Sequence, residues 1–140
     1  MDWEECRHKK LVKEIKTDQN LIDSLVKSSG RKFESNRRLN LDGTTASTKI
    51  TLAYDSLREI LEALAVQKGF KVYSHECFAS FLSEFCKEKS FSIGFDRFRV
   101  IRNQINYYGK DVSANDAKII IEEIARLRGK ILRRYFQQRK

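Results

Sequence analysis

The sequence predicts an all-α protein, an up-and-down bundle of about five to six helices. Three observations carry that prediction. Apolar residues recur at spacings of three and four along almost the whole chain, the signature of helices with one buried face. No stretch alternates apolar and polar residues over a useful length, as a half-buried strand would. The 140 residues include no proline and only six glycines, where average usage would supply roughly seven and ten, so the connections between helices are short. The length suits one core and not two, and there is no internal repeat or low-complexity tract, so residues 1–140 read as a single helical domain.

The elements follow in order. Asp2 with Glu5 three residues later resembles a capping box. Leu11, Val12, Ile15, Ile22, Leu25 and Val26 continue the stripe to Ser28-Ser29-Gly30, which predicts one long first helix stopped at the glycine. Arg31 to Asp42 has only Phe33, Leu39 and Leu41 as apolar residues and reads as a short weak helix or an ordered loop. From Thr44 or Ser47, both good N-caps, a strongly amphipathic helix carries Ile50, Ala53, Tyr54, Leu57, Ile60, Leu61, Leu64 and Ala65 to Gly69. Ser74 caps a shorter helix with Phe78, Phe81, Leu82 and Phe85 on one face, ending near Lys87-Glu88-Lys89. A fifth helix spans about Ile93 to Tyr108 and breaks at Gly109. The sixth starts at the Ser113 cap, with Asp116 as its partner, and runs through Ile120, Ile124, Leu127, Ile131 and Tyr135.

Composition excludes several classes. With 41% hydrophobic and 34% charged residues the chain is neither disordered nor collagen-like. Its apolar runs are far shorter than the ~20 residues of a membrane span, and Asp2-Trp3-Glu4-Glu5 after Met1 does not resemble a leader. A cytoplasmic protein with no membrane partner is expected. Cys6, Cys77 and Cys86 are odd in number and form no CxxC pair, so free thiols are expected, with no metal site and no cofactor.

The fifth helix holds the chemistry. Stepping about 100° per residue places Phe98, Ile101, Ile105 and Tyr108 on a core face. Arg99, Arg102, Asn103 and Asn106 gather on a polar strip, bordered by Val100 and Tyr107 on one side and by Phe95, within its own arc, on the other. A solvated face ordinarily carries Lys and Glu; arginines and carboxamides suit planar or phosphate-like acceptors instead. The plainer alternative is that Arg99 and Arg102 pair with bundle carboxylates such as Glu122 or Glu123.

Arg102-Asn103, three residues, then Tyr107-Tyr108-Gly109, Val112-Ser113 and a long helix with Glu122-Glu123 resemble the C-terminal half of HEPN domains. Gly69-Phe-Lys-Val followed by Ser74-His75-Glu76 and a Phe-rich helix ending Phe81-Leu82 is similar to the preceding part of that layout. The resemblance implies an α-helical, generally dimeric bundle of a family rich in metal-independent ribonucleases, found in toxin–antitoxin, defence and RNA-processing systems and often beside a minimal nucleotidyltransferase. It implies that Arg102 stabilises phosphate charge and that Asn103 is the polar residue beside it. The family's catalytic histidine, four to six residues after the arginine, is replaced here by Tyr107 or Tyr108. A tyrosine, with a pKa near about 10, holds its proton where histidine exchanges one, and losing a positioned base costs about 10²- to 10⁴-fold.

The chain's own histidines lie elsewhere. His75 is read as a partly exposed helix-start residue, a stand-in catalytic role being the alternative, and His8 as part of the solvated Arg7-His8-Lys9-Lys10 face. The charge of +9 is uneven. Arg126, Arg128, Lys130, Arg133, Arg134, Arg139 and Lys140 form a tail without a carboxylate, and Arg31, Lys32, Arg37 and Arg38 a second cluster. Tyr135 and Phe136 either stack on bases or finish the core.

These features predict a homodimer that binds RNA or a nucleotide, in a two-component module with a nucleotidyltransferase. Arg102, Asn103 and Tyr107 stand at the catalytic motif positions, and Arg99, Arg102, Asn106, Tyr108, Arg133 and Arg134 at phosphate contacts. The alternatives are an active metal-independent endoribonuclease of HEPN type and a non-catalytic scaffold subunit.

Overall fold

A computed structural model describes residues 1–136 of the chain. Six α-helices and one short ladder form a helical bundle: α1 (Trp3–His8), β1 (Val12–Glu14), α2 (Gln19–Arg38), α3 (Ala46–Gln67), β2 (Phe70–Val72), α4 (Glu76–Ser80), α5 (Lys89–Tyr108) and α6 (Ala114–Tyr135). A π-helical turn, Phe81–Phe85, extends α4. No described helix is long and apolar enough to cross a membrane.

The spine is α3. Its stripe of Tyr54, Leu57, Ile60, Leu61 and Leu64 is fully buried, each aliphatic side chain contributing about 1.5–3 kcal/mol by leaving water. Helix α2 packs along one side of α3, α6 along another, and α5 bridges α3, α4 and α6. Tyr135 and Phe136 close the core at the end of α6, and the Tyr135 hydroxyl donates to Glu88 at 2.8 Å.

Caps follow the sequence closely. Asp2 accepts from the Glu5 amide at 2.7 Å and Ser113 from the Asp116 amide at 3.1 Å. Gly109, at φ 62°, ends α5 in the left-handed region that favours glycine. Two expected caps differ: Thr45 begins α3 and His75 begins α4, neither with a side-chain cap bond. Helix α5 also starts a turn earlier than Ile93.

Four larger expectations are corrected. The long first helix is two helices with a strand between them. Lys10 takes φ 61°, which turns the chain out of α1, and Val12 to Glu14 then pair antiparallel with Phe70 to Val72. A strand is therefore present, too short for its alternation to stand out from helical spacing. Gly30 is not a stop: α2 runs from an Asp18 cap to Arg38, because Gly30 does not adopt the left-handed conformation and the stripe continues through Phe33. Arg31 to Arg38 of the weak segment are accordingly the second half of α2, and Leu39 to Asp42 lie in the connection to α3. Lys49, buried without a carboxylate partner among the described residues, donates to the Asn36 and Leu39 carbonyls at the end of that helix, where a cation meets the negative end of the helix dipole. Finally, Cys6 and Cys77 are joined by a disulfide with Cα atoms 6.0 Å apart, leaving only Cys86 free. Trp3, against Phe70 and Phe81, seats α1 so that the two thiols meet.

Candidate functional site

The polar strip of α5 faces α3 and the start of α4. Tyr54 lies at the centre, its ring stacked on Phe95 at 5.6 Å. Phe95, which the helical wheel places in the arc of the strip, is instead fully buried, since the first half of α5 is covered on both sides. The Arg102 guanidinium carbon sits 5.6 Å from the centroid of the Tyr54 ring. The Tyr54 hydroxyl is 3.2 Å from His75 Nδ1.

Two further arginines surround this pair, and both are neutralised locally. Arg58 pairs with Glu62 and lies 3.9 Å from Asp55; Arg99 donates to Asp96 at 2.8 Å. Arg102 differs. Its Nη1 reaches only the Asn103 side-chain oxygen, at 3.3 Å, and no carboxylate among the described residues pairs with it; its Nε, like that of Arg58, is buried without a hydrogen-bond partner. Glu123, one of the carboxylates considered for it, holds Arg97 instead, at 2.8 Å.

The field of these groups, together with burial, acts on the ionisation of Tyr54 and His75. Burial, and then the positive charges of Arg58, Arg102 and Arg99, pull His75 down to about 4. Burial raises Tyr54 above the ordinary phenol value, with the same arginines opposing the shift. Tyr54 therefore keeps its proton at neutral pH and His75 is neutral. Tyr54 and His75 share one hydrogen bond whose direction follows the imidazole tautomer. With the imidazole proton on Nε2, the hydroxyl donates to Nδ1 and Nε2–H is left to donate. In that tautomer the basic nitrogen is occupied, so proton abstraction would require Tyr54 to let go.

Towards the end of α5 the strip opens into a groove of about 370 Å³ lined by Leu52, Asp55, Ile105 and Asn106 among others. Apolar Leu52 and Ile105 could receive a flat group, while Asp55 and Asn106 supply an acceptor and a carboxamide.

The residues expected to act together separate into two sets. Arg99, Arg102, Asn103 and Asn106 lie along one face, joined by Tyr54 and Arg58, which the sequence had not assigned to it, and by His75, whose stand-in role was only the alternative reading. Tyr107 and Tyr108 are 70% and 83% exposed and have no aromatic or hydrogen-bonded partner in the cluster. Tyr108 does not join the core because α5 ends one residue later at Gly109 and nothing among the described residues covers that turn. Arg133 is exposed and Arg134 pairs with Glu88, both at the far end of α6. Arg139 and Lys140 lie outside the described residues. In the second basic cluster Arg37 and Arg38 pair with Glu34 and Lys32 with Glu59. His8 is exposed. Among the described residues no three His, Cys, Asp or Glu side chains converge as a metal site requires. No protein-family model, curated protein or solved structure matches the chain.

Proposed function

We propose that the protein binds RNA or a nucleotide through a phosphate held on the α3–α5 face, by Arg102 with the Nε2–H of His75 beside it. One observation carries this reading: Arg102 is a half-buried guanidinium with no carboxylate among the described residues to neutralise it, over the ring of the same Tyr54 whose hydroxyl bonds a neutral His75. A phosphodiester oxygen supplies the charge and the acceptors that both groups need. The adjoining groove offers room for a base or ribose beside that phosphate.

The resemblance to HEPN domains supports the same residue, since Arg102 takes the arginine position of their motif. It also suggests a homodimer and a nucleotidyltransferase partner. For the dimer, the exposed Ile93, Val100 and Tyr107 recur every seven residues along α5, a stripe that a second copy would cover. A sedimentation run at micromolar concentration that gives only the monomer mass would remove the dimer.

Binding is tested with fluorescent single-stranded RNA. Affinity should fall steeply with salt, and Arg102→Ala should weaken it by about tenfold or more, the loss of one charge-assisted contact. Equal binding by the variant, or none at low salt, would overturn the reading and leave the scaffold alternative. A metal-independent ribonuclease is the second reading, favoured by His75 reaching the same cluster. Cleavage in EDTA that vanishes in both Arg102→Ala and His75→Ala would establish it.

A further inference from the structure

A second arginine that is withdrawn from solvent and has no carboxylate partner among the described residues lies around the other side of α3. Arg128 of α6 is only 8% exposed. Its Nε donates to the Ser29 hydroxyl at 2.9 Å, which in turn donates to the Ser56 carbonyl at 2.6 Å. Its guanidinium carbon lies 4.6 Å from the centroid of the Phe33 ring. Of its five N–H donors only Nε–H has a protein acceptor among the described residues, and no carboxylate there pairs with it. Burial lowers its pKa, yet a guanidinium remains charged at neutral pH. Burying such a charge is costly, and stacking on a ring with one bond to a hydroxyl offsets only part of that cost.

Beside it runs an apolar cavity of about 120 Å³ lined by Phe33, Ala53, Ser56, Ile121, Ile124 and Ala125. The two features share walls, with Arg128 itself just outside the cavity lining. Phe33 both lines the cavity and carries the guanidinium, Ser56 lines it and anchors Ser29, and Ile124 and Ala125 lie one turn before Arg128 on α6. Exposed Arg37 and Glu122 also border the cavity, with opposite charges that leave its rim neutral.

We propose that this is a binding site for a small organic carboxylate whose apolar body is about the size of one aromatic ring. The carboxylate takes the free Nη donors of Arg128 in the planar, two-bonded arrangement that guanidinium favours, and the body fills the cavity. An apolar protein cavity of about 150 Å³ admits benzene, so this volume suits a single ring or a short branched chain.

Benzoate, with benzyl alcohol as the neutral match, tests this on the full chain by NMR of Phe33, Ala53 and Ala125. Benzoate should perturb all three and bind about tenfold or more tightly than benzyl alcohol. Arg128→Met should erase that preference, and Ala125→Leu, which fills the cavity but keeps the charge, should abolish binding of both. Arg102→Ala should bind benzoate unchanged, which separates this site from the α3–α5 face. Equal affinities for the two probes, no perturbation at about 10 mM benzoate, or undiminished binding by Ala125→Leu would overturn the proposal.

Discussion

Arg102 and His75 show how a side chain's chemistry depends on its neighbours more than on its position in the chain. Arg102 and Asn103 were legible because two donors at adjacent positions, on a face with few lysines, are unusual for a solvated helix. His75 was not, because 27 residues separate it from Arg102 and nothing in its own turn marks it. Only the crossing of α3, α4 and α5 brings it to Tyr54. Its depressed pKa of about 4 has a direct consequence. The unfolded chain binds a proton near the ordinary 6.5 that the folded chain refuses, so stability from neutral His75 is complete above about pH 6.5 and is lost as the pH falls towards 4. The His75 ring resonances should titrate with a midpoint near 4, moving upward when an anion binds. His75→Gln should lose less denaturant stability than the wild type between pH 7 and pH 5. A midpoint near 6.5, or equal losses, would show that the imidazole is not held in this environment.

At the scale of elements, long helices with regular stripes were read well: α3, α5 and α6 stand close to their expected bounds, and the Ser113 and Gly109 signals act as expected. The failures lie where local signals are ambiguous. Leu11, Val12 and Ile15 fit a helical stripe and a three-residue strand equally well, and the choice rests on the partner strand Phe70–Val72. Gly30 resembled a stop, yet the surrounding residues pack on α3 and hold the helix through it. A β-carbon added at Gly30 meets no atom within 4 Å. Gly30→Ala should therefore stabilise the protein by about 0.5–1 kcal/mol, since glycine inside a helix gives up more conformational freedom on folding than alanine. Thermal melting should show a small rise in Tm; a fall would mean that α2 needs a bend at that point.

For the whole molecule, the disulfide is the feature that no local pattern announced. Cys6 and Cys77 are 71 residues apart, and an odd cysteine count without a CxxC pair pointed to free thiols. The bridge ties α1 to the start of α4, two residues after His75. On the chain-entropy account, closing a loop of this length is worth about 4 kcal/mol, so Cys6→Ser with Cys77→Ser should lower Tm by on the order of 10 °C. Unfolded without reductant, the wild type should react with one thiol equivalent per chain, that of Cys86. Three equivalents and an unchanged Tm would show that the bridge does not form. The sequence by itself determined the helical bundle, the caps at Asp2, Ser113 and Gly109 and the Arg102–Asn103 strip, because periodicity and capping are local consequences of side-chain chemistry. The tertiary structure alone decided which cations are left without a carboxylate, that His75 and one of them meet on Tyr54, and that Cys6 meets Cys77, because each depends on which distant residue the packing brings within a few ångströms.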